Sequence, residues 1–177
     1  MPCCGNRQCW PAVHQDVSHH SEIPLHFLDH KIPPPIVGLL VAAAMWATAD
    51  TGPQFVLALQ VRYITVALLI AAGAAFDLLG LIAFRQSRTT INPLRPERTS
   101  ALATGGIYRI TRNPMYLGMA LFLLAWAVWL SAWLPFAGVP VFMWYITQFQ
   151  IRPEERVLEK LFGAEFLSYA ARVRRWL

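Results

Sequence analysis

Charge is scarce in this sequence. Only 14% of its 177 residues are Asp, Glu, Lys or Arg, whereas 56% are hydrophobic, and the mean hydropathy is +0.41. A soluble domain carries about 25% charged residues, so this deficit excludes a chain whose whole surface faces water. Cysteine is absent after Cys9, which excludes a disulfide framework. The N-terminus lacks the basic start and apolar core of a secretory signal: residues 1–31 offer Pro, His and Asp instead, and no cleaved signal is expected. Cys3, Cys4 and Cys9 lie near His14, His19, His20, His26 and His30. A Cys/His-rich tract can bind metal, but the spacing here matches no zinc signature, so no metal site is expected. Residues 1–31 read as a disordered leader and residues 32–177 as one domain. No internal repeat is visible.

The charge that is present is unevenly placed. The net charge is +5, and twelve of the fifteen Lys and Arg residues fall in two segments, Arg85 to Arg112 and Arg152 to Arg175. Both flank apolar stretches. That placement is the signature of cytoplasmic loops rather than of a nucleic-acid surface, and no nucleic-acid partner is expected. Four apolar spans are expected: Pro35–Ala49, entered through Pro33-Pro34-Pro35, then Ile64–Phe84, then two helices of a hairpin at about 115–131 and 135–150. The run from Met115 to Phe149 is too long for one span at 1.5 Å per residue. Ser131, Pro135, Gly138 and Pro140 divide it near its middle. Asp50-Thr51-Gly52-Pro53 reads as a turn, and Gln54–Gln60 as an extension of either neighbouring helix.

The expected fold is therefore an all-α integral membrane bundle of about four transmembrane helices. Because both basic segments belong on the cytoplasmic side, an even span count places both termini there as well. Beyond the last span, Leu158, Phe162, Phe166, Tyr169 and Val173 recur at three- and four-residue steps. This spacing predicts an amphipathic C-terminal helix over Glu154–Val173, with a bend at Gly163.

Two polar segments stand out in a chain so poor in polar residues. The first is Gly105-Gly106-Ile107-Tyr108-Arg109-Ile110-Thr111-Arg112-Asn113-Pro114-Met115-Tyr116-Leu117-Gly118; the second is Arg152-Pro153-Glu154-Glu155. A hairpin of the last two spans brings both to one membrane face. Taken singly, the arginines suit a positive-inside anchor and the tyrosines an interfacial belt, and Pro153 with its two acids suits a helix start. Together they suit S-adenosylmethionine: arginine or backbone N–H groups for its carboxylate, glutamate for its ammonium and ribose hydroxyls, and aromatic faces for its sulfonium. A dinucleotide would use many of the same groups. Pro114 begins a helix and leaves the N–H groups of Met115 and Tyr116 for an anion, while Gly118, one turn on, leaves room beside it. Asp77 is an ionisable residue within a span and is a functional candidate on that ground alone.

The pattern G-x-Y-R-x-x-R-N-P-x-Y-x-G over Gly106–Gly118, followed after a hairpin by R-x-E-E-x-x-L-x-x-x-F-G over Arg152–Gly163 and continuing to Val173, resembles the isoprenylcysteine carboxyl methyltransferase and phospholipid methyltransferase superfamily. Thr89-Thr90-Ile91-Asn92-Pro93 and the Lys31–Pro35 entry are similar to short bacterial members, which implies a bacterial inner membrane. The resemblance implies a cytosol-facing S-adenosylmethionine pocket with Tyr108, Arg112, Asn113, Pro114, Tyr116, Leu117, Gly118, Glu154 and Glu155 at the cofactor. Arg152 and Asp77 are the candidate catalytic residues, and the acceptor enters from the bilayer. One departure is Asn113, where prenyl-cysteine enzymes of the superfamily carry His. Asn keeps the hydrogen bonding but does not titrate near neutral pH. The alternatives are an NADPH-dependent membrane reductase of the steroid-reductase-like type, which usually has Glu at the place of Gly118, and a non-catalytic membrane binding protein.

Overall fold

The computed structural model describes residues 32–86 and 102–177. The Cys/His-rich leader and Thr89–Pro93 lie outside the described residues. Six α-helices account for most of the described chain: α1 Pro34–Ala47, α2 Leu59–Gln86, α3 Pro114–Leu130, α4 Gly138–Ile146, α5 Arg152–Phe162 and α6 Ala164–Arg172. Among the described residues there is no strand, only an isolated bridge between Gln54 and Ala132.

Proline sets the start of two of these helices. Pro34 and Pro114 each sit in a first helical turn, where a missing N–H costs nothing. The α3 helix ends at Ser131, whose left-handed backbone (φ 53, ψ 35) reverses the chain, and a short turn at Leu134–Ala137 leads into α4. The expected hairpin is present. The stretch between α1 and α2 differs from expectation. Only Leu59 and Gln60 of that stretch extend α2; residues 53–58 are non-helical and cross the tip of the hairpin, with Phe55 N–H donating to Ser131 O (3.0 Å) and Trp133 N–H to Pro53 O (3.1 Å). The hairpin tip has unpaired backbone groups, and satisfying them outweighs local helix propensity.

A second difference concerns the end of α4. The backbone stays helical from α4 through a π-helical turn, Thr147–Ile151, into α5, so Glu154 and Glu155 lie on a continuation of the last apolar helix rather than on a separate one. Pro153 explains the irregular turn. It has no N–H to give residue 149, and the helix relieves that defect by widening immediately before it. The amphipathic segment divides at Gly163, as its sequence suggests, with φ 50 and ψ −120, a conformation that favours glycine.

Two helices are long and apolar enough to cross a membrane, Pro34–Thr51 (18 residues) and Leu59–Gln86 (28 residues), and only 17% and 11% of their apolar windows are buried inside the molecule. Leu39, Trp46, Val56 and Leu68 are each more than 60% exposed. In water such surfaces would be an aggregation liability; in lipid they are the outer wall of the bundle. The interior is built from small and branched residues: Val37 and Met45 of α1 meet Ala120, Leu123 and Ala127 of α3 and Phe142 and Ile146 of α4.

The α2 helix packs along α3 at the other side, and glycine sets the distance between them. A methyl group at Gly118 would lie 2.8 Å from Gly73 O, and one at Gly73 would lie 3.0 Å from Gly118 O. Backbones meet here because neither helix has a side chain to hold them apart, the usual means of helix association in lipid.

Candidate active site

Both polar segments do reach one end of the bundle, and there they divide into two clusters. The first is a half-buried acid among tyrosines. Tyr116, on the first turn of α3, donates its hydroxyl to Glu154 Oε1 at 2.8 Å, joining the two motifs directly. Tyr108 stands on the short helical turn Gly106–Arg109, and its carbonyl accepts the Tyr169 hydroxyl of α6 at 2.8 Å. Burial is the main influence on Glu154 and pushes its carboxyl from an ordinary 4.5 up to about 7; the Tyr116 hydrogen bond pulls it back and the neighbouring Glu155 charge adds to the rise. Burial, followed by the Glu154 charge, lifts Tyr108 to about 12. Tyr169 also rises to about 12 through burial, with the Arg112 charge opposing it.

A stability consequence follows. Above 4.5 the unfolded chain releases the Glu154 proton while the folded chain holds it to about 7. Folding stability therefore falls as pH rises through that window and levels off above it. A Glu154→Gln chain is expected to lose this portion of the pH dependence, as read from thermal melts in detergent at pH 5, 6, 7 and 8. Melts with an unchanged slope would show that Glu154 titrates normally.

The second cluster is a clasp on the chain's last residues. Beyond α6 the backbone becomes extended at Val173 (φ −120, ψ 132) and turns back across the motif loop. Arg112 N–H donates to Arg174 O at 3.0 Å. Arg175 O accepts from Thr111 Oγ1 at 3.1 Å and from Asn113 Nδ2 at 3.0 Å, and Thr111 Oγ1 itself accepts from Asn113 N–H at 3.2 Å. Glu155 binds Arg112 Nη1 at 2.9 Å and takes Arg175 in a fork, Nε at 3.0 Å and Nη2 at 2.8 Å. Trp176 closes the turn by donating its indole N–H to Thr147 Oγ1 on the π turn at 3.2 Å. Beside this clasp lies an open cleft of about 460 Å³ lined by Arg112 and residues 170–177.

The expected site residues are thus sorted by position. Tyr108, Tyr116 and Glu154 form the half-buried acid–tyrosine group, while Arg112, Asn113 and Glu155 hold the C-terminal segment. Pro114 is fully buried and Leu117 is 7% exposed, and Pro114 packs against Gly80 of α2. The space above Gly118 is filled by the Asp77 carboxyl, which a methyl group there would overlap. Asp77 Oδ1 is buried with no hydrogen-bond partner among the described residues. Arg152 is exposed and makes no ion pair with another described residue. Among the described residues no group of His, Cys, Asp and Glu is arranged to hold a metal.

Sequence reasoning passed over Thr111, Arg175 and Trp176. Thr111 is fully buried, yet nothing in one sequence separates it from a loop threonine. Arg175 belongs to the basic segment Arg152 to Arg175, which reads as a cytoplasmic flank of the last span.

The sequence model of the phospholipid methyltransferase family matches residues 61–165, from the first turns of α2 into α6. The chain belongs to this family. An uncharacterised protein of Haemophilus influenzae is 51% identical over 63 residues, 36% of this chain and all of that one. Two enzymes of Arabidopsis thaliana, protein-S-isoprenylcysteine O-methyltransferases B and A, are 29% identical over 105 residues and 27% identical over 106. These alignments cover 59% and 60% of this chain and 53% and 54% of the plant enzymes, so the chain spans about half their length. No solved structure matches. The match to the methyltransferase family includes Tyr108, Tyr116, Glu154 and Glu155, and it stops before the clasp residues Arg174–Trp176.

Proposed function

We propose that this chain is a membrane methyltransferase that uses S-adenosylmethionine and takes a lipid-like or small hydrophobic acceptor, a carboxylate, amine or thiol, from the bilayer. The observation that carries the reading is the Tyr116–Glu154 hydrogen bond, 2.8 Å across the two motifs. It puts a desolvated carboxyl and aromatic faces beside a helix start at the end of an apolar bundle. The donor set fits the cofactor. Glu154 would hold its ammonium or a ribose hydroxyl, Tyr108 and Tyr116 would face its sulfonium, and the free N–H groups of the first turn of α3, with Arg112, would take its carboxylate. Glu155 would act through Arg112 and Arg175, which it binds. S-adenosylmethionine supplies an electrophilic methyl group; the chain's own task is to align the acceptor with it and to exclude water.

The same reading completes the topology. The helices α1, α2, α3 and α4 cross the membrane as four spans, with both ends and the candidate site cytoplasmic in a bacterial inner membrane. The basic residues between α2 and α3 and after α4 favour it. Reporter fusions after Gly52 and after Leu177 are expected on opposite sides, and fusions on the same side would refute an even count.

Calorimetric titration with S-adenosylhomocysteine and, separately, with NADPH tests the cofactor. Binding is expected for the first alone; tight NADPH binding with none of S-adenosylhomocysteine would overturn the methyltransferase reading. The pH dependence adds a sharper check. A cationic ligand group favours ionised Glu154, whose pKa stands at about 7, so affinity is expected to rise about tenfold from pH 6 to pH 8 as the ionised fraction grows. A Glu154→Gln chain is expected to bind weakly and without that slope.

A further inference from the structure

The end of the bundle away from the candidate site holds an arginine that pairs with no carboxylate among the described residues. Arg62 lies on the first turn of α2. Its Nη1 donates to Ser131 Oγ at 3.1 Å, and its guanidinium carbon stands 5.2 Å from the centre of the Trp129 ring. Among the described residues its buried Nε has no acceptor and no carboxylate pairs with it. Tyr63, Trp129, Phe55 and Trp133 surround this level, with the Tyr63 and Trp129 rings 5.7 Å apart and Phe55 and Trp133 5.0 Å apart. Such an aromatic group marks the headgroup depth of a bilayer. A guanidinium held there against protein seeks an anion, because a charge removed from water is costly unless paired.

Directly below Arg62 runs an apolar groove of about 440 Å³ between α2 and α3, lined by Val66, Ile70, Phe122, Ala125, Trp126 and Trp129. Positions 62, 66 and 70 fall at steps of four on α2, and positions 122, 125, 126 and 129 at steps of three and four on α3, so each set shares one face. The groove closes at its lower end, where the Phe122 ring fills the space above Gly73 and the two backbones come together. From Arg62 to Ile70 is ~12 Å along α2, most of the ~15 Å of one hydrocarbon leaflet.

We infer that this is a binding site for one anionic phospholipid, with its phosphate on Arg62 and an acyl chain in the groove, in the leaflet opposite the candidate active site. The assignment of the leaflet rests on the four-span topology proposed above; the pairing of cation and groove does not. Charge complementarity selects an anionic lipid over a second copy of the chain, since a twofold-related copy would bring a second Arg62 to the same level.

Native mass spectrometry of the purified full chain, incubated with phosphatidylglycerol or phosphatidylcholine of the same acyl chains, tests the proposal. The wild type is expected to retain phosphatidylglycerol several-fold more than phosphatidylcholine. Arg62→Gln is expected to abolish that preference and Arg62→Lys to keep most of it, which separates charge from any loss of fold. Val66→Trp, which fills the groove, is expected to lower retention of both lipids. No headgroup preference in the wild type, or unchanged retention in both Arg62→Gln and Val66→Trp, would overturn the site. So would a dimer that Val66→Trp dissolves without altering lipid retention. S-adenosylhomocysteine titration of the same samples reads the methyltransferase proposal independently, since neither Arg62 nor Val66 belongs to the candidate active site.

Discussion

A Gly118→Leu chain is expected to lose the packing of α2 on α3 and to be the most damaged of the variants considered. The first added carbon would meet the Asp77 carboxyl and lie 2.8 Å from the Gly73 carbonyl oxygen. Asp77 can turn aside, but a backbone carbonyl inside a helix cannot, so the helices must separate. Overpacking of this kind costs about 1–3 kcal/mol and more where backbone must move, and here it also removes the close contact that replaces hydrophobic attraction inside lipid. Gly118→Ala meets the same carbonyl and is expected to fall between Leu and wild type. Thermal melting in detergent with light scattering checks both. A Gly118→Leu chain that melts like wild type would show that the two helices are free to slide. Pro114, one turn from Gly118, packs on Gly80 of α2, so a displaced α3 would also disturb Tyr116 and its bond to Glu154. Loss of cofactor binding in this variant would therefore report helix position, not the filling of a ligand space.

Replacing Glu155 by Ala is expected to free the C-terminal segment while leaving the bundle folded. Its carboxylate binds Arg112 and Arg175 together, with side-chain exposures of 16% for Glu155, 13% for Arg112 and 41% for Arg175. Removing one partner of a buried pair costs about 3–5 kcal/mol; the half-exposed Arg175 is screened by solvent and lowers this to about 2–3 kcal/mol. The remaining bonds to Arg174 O and Arg175 O come from Arg112 N–H, Thr111 and Asn113, and they hold the segment only while the loop stays in place. Hydrogen exchange should rise at residues 173–177 and much less in α3. An Arg175→Ala chain should show the same pattern to a lesser degree, and the double variant little more than Glu155→Ala, which already removes the Arg175 fork along with the Arg112 pair. Unchanged exchange in Glu155→Ala would mean that the ion pairs contribute nothing and that the hydrogen bonds from Arg112 N–H, Thr111, Asn113 and Trp176 fasten the segment. If the clasp frames the cofactor site, S-adenosylhomocysteine affinity should weaken in step with the exchange.

Much of this molecule was open to a reading by hydropathy and periodicity. The helical hairpin, its turn near Ser131, the amphipathic segment and the bend at Gly163 all follow from local rules, because each depends on residues within a few positions of one another. The π turn before Pro153 is equally local, yet hydropathy and periodicity do not reveal it. A proline after an apolar run suits a fresh helix start as well as a widened continuation, and only the packing of Phe149, Gln150 and Ile151, all buried, keeps the helix going. The division of the polar motif was hidden for a different reason. Glu154 and Glu155 are adjacent and chemically identical, but successive residues on a helix point about 100° apart. One therefore faces Tyr116 and the other faces Arg112 and Arg175.

By itself, then, the sequence determined the class of molecule, an apolar helical chain with its positive charge gathered in two segments, and the two motifs that mark the methyltransferase family. Composition and short-range spacing carry that information, and no folding is needed to read it. The tertiary structure alone decided which acid is hydrogen-bonded to tyrosine and which is an ion-paired clasp. It decided that Gly118 makes room for Asp77 and the α2 backbone, and that Thr111 and Asn113 hold the carbonyl of Arg175. Each of these is a contact between segments tens of residues apart, and its chemistry depends on desolvation, which exists only once other parts of the chain have displaced the water.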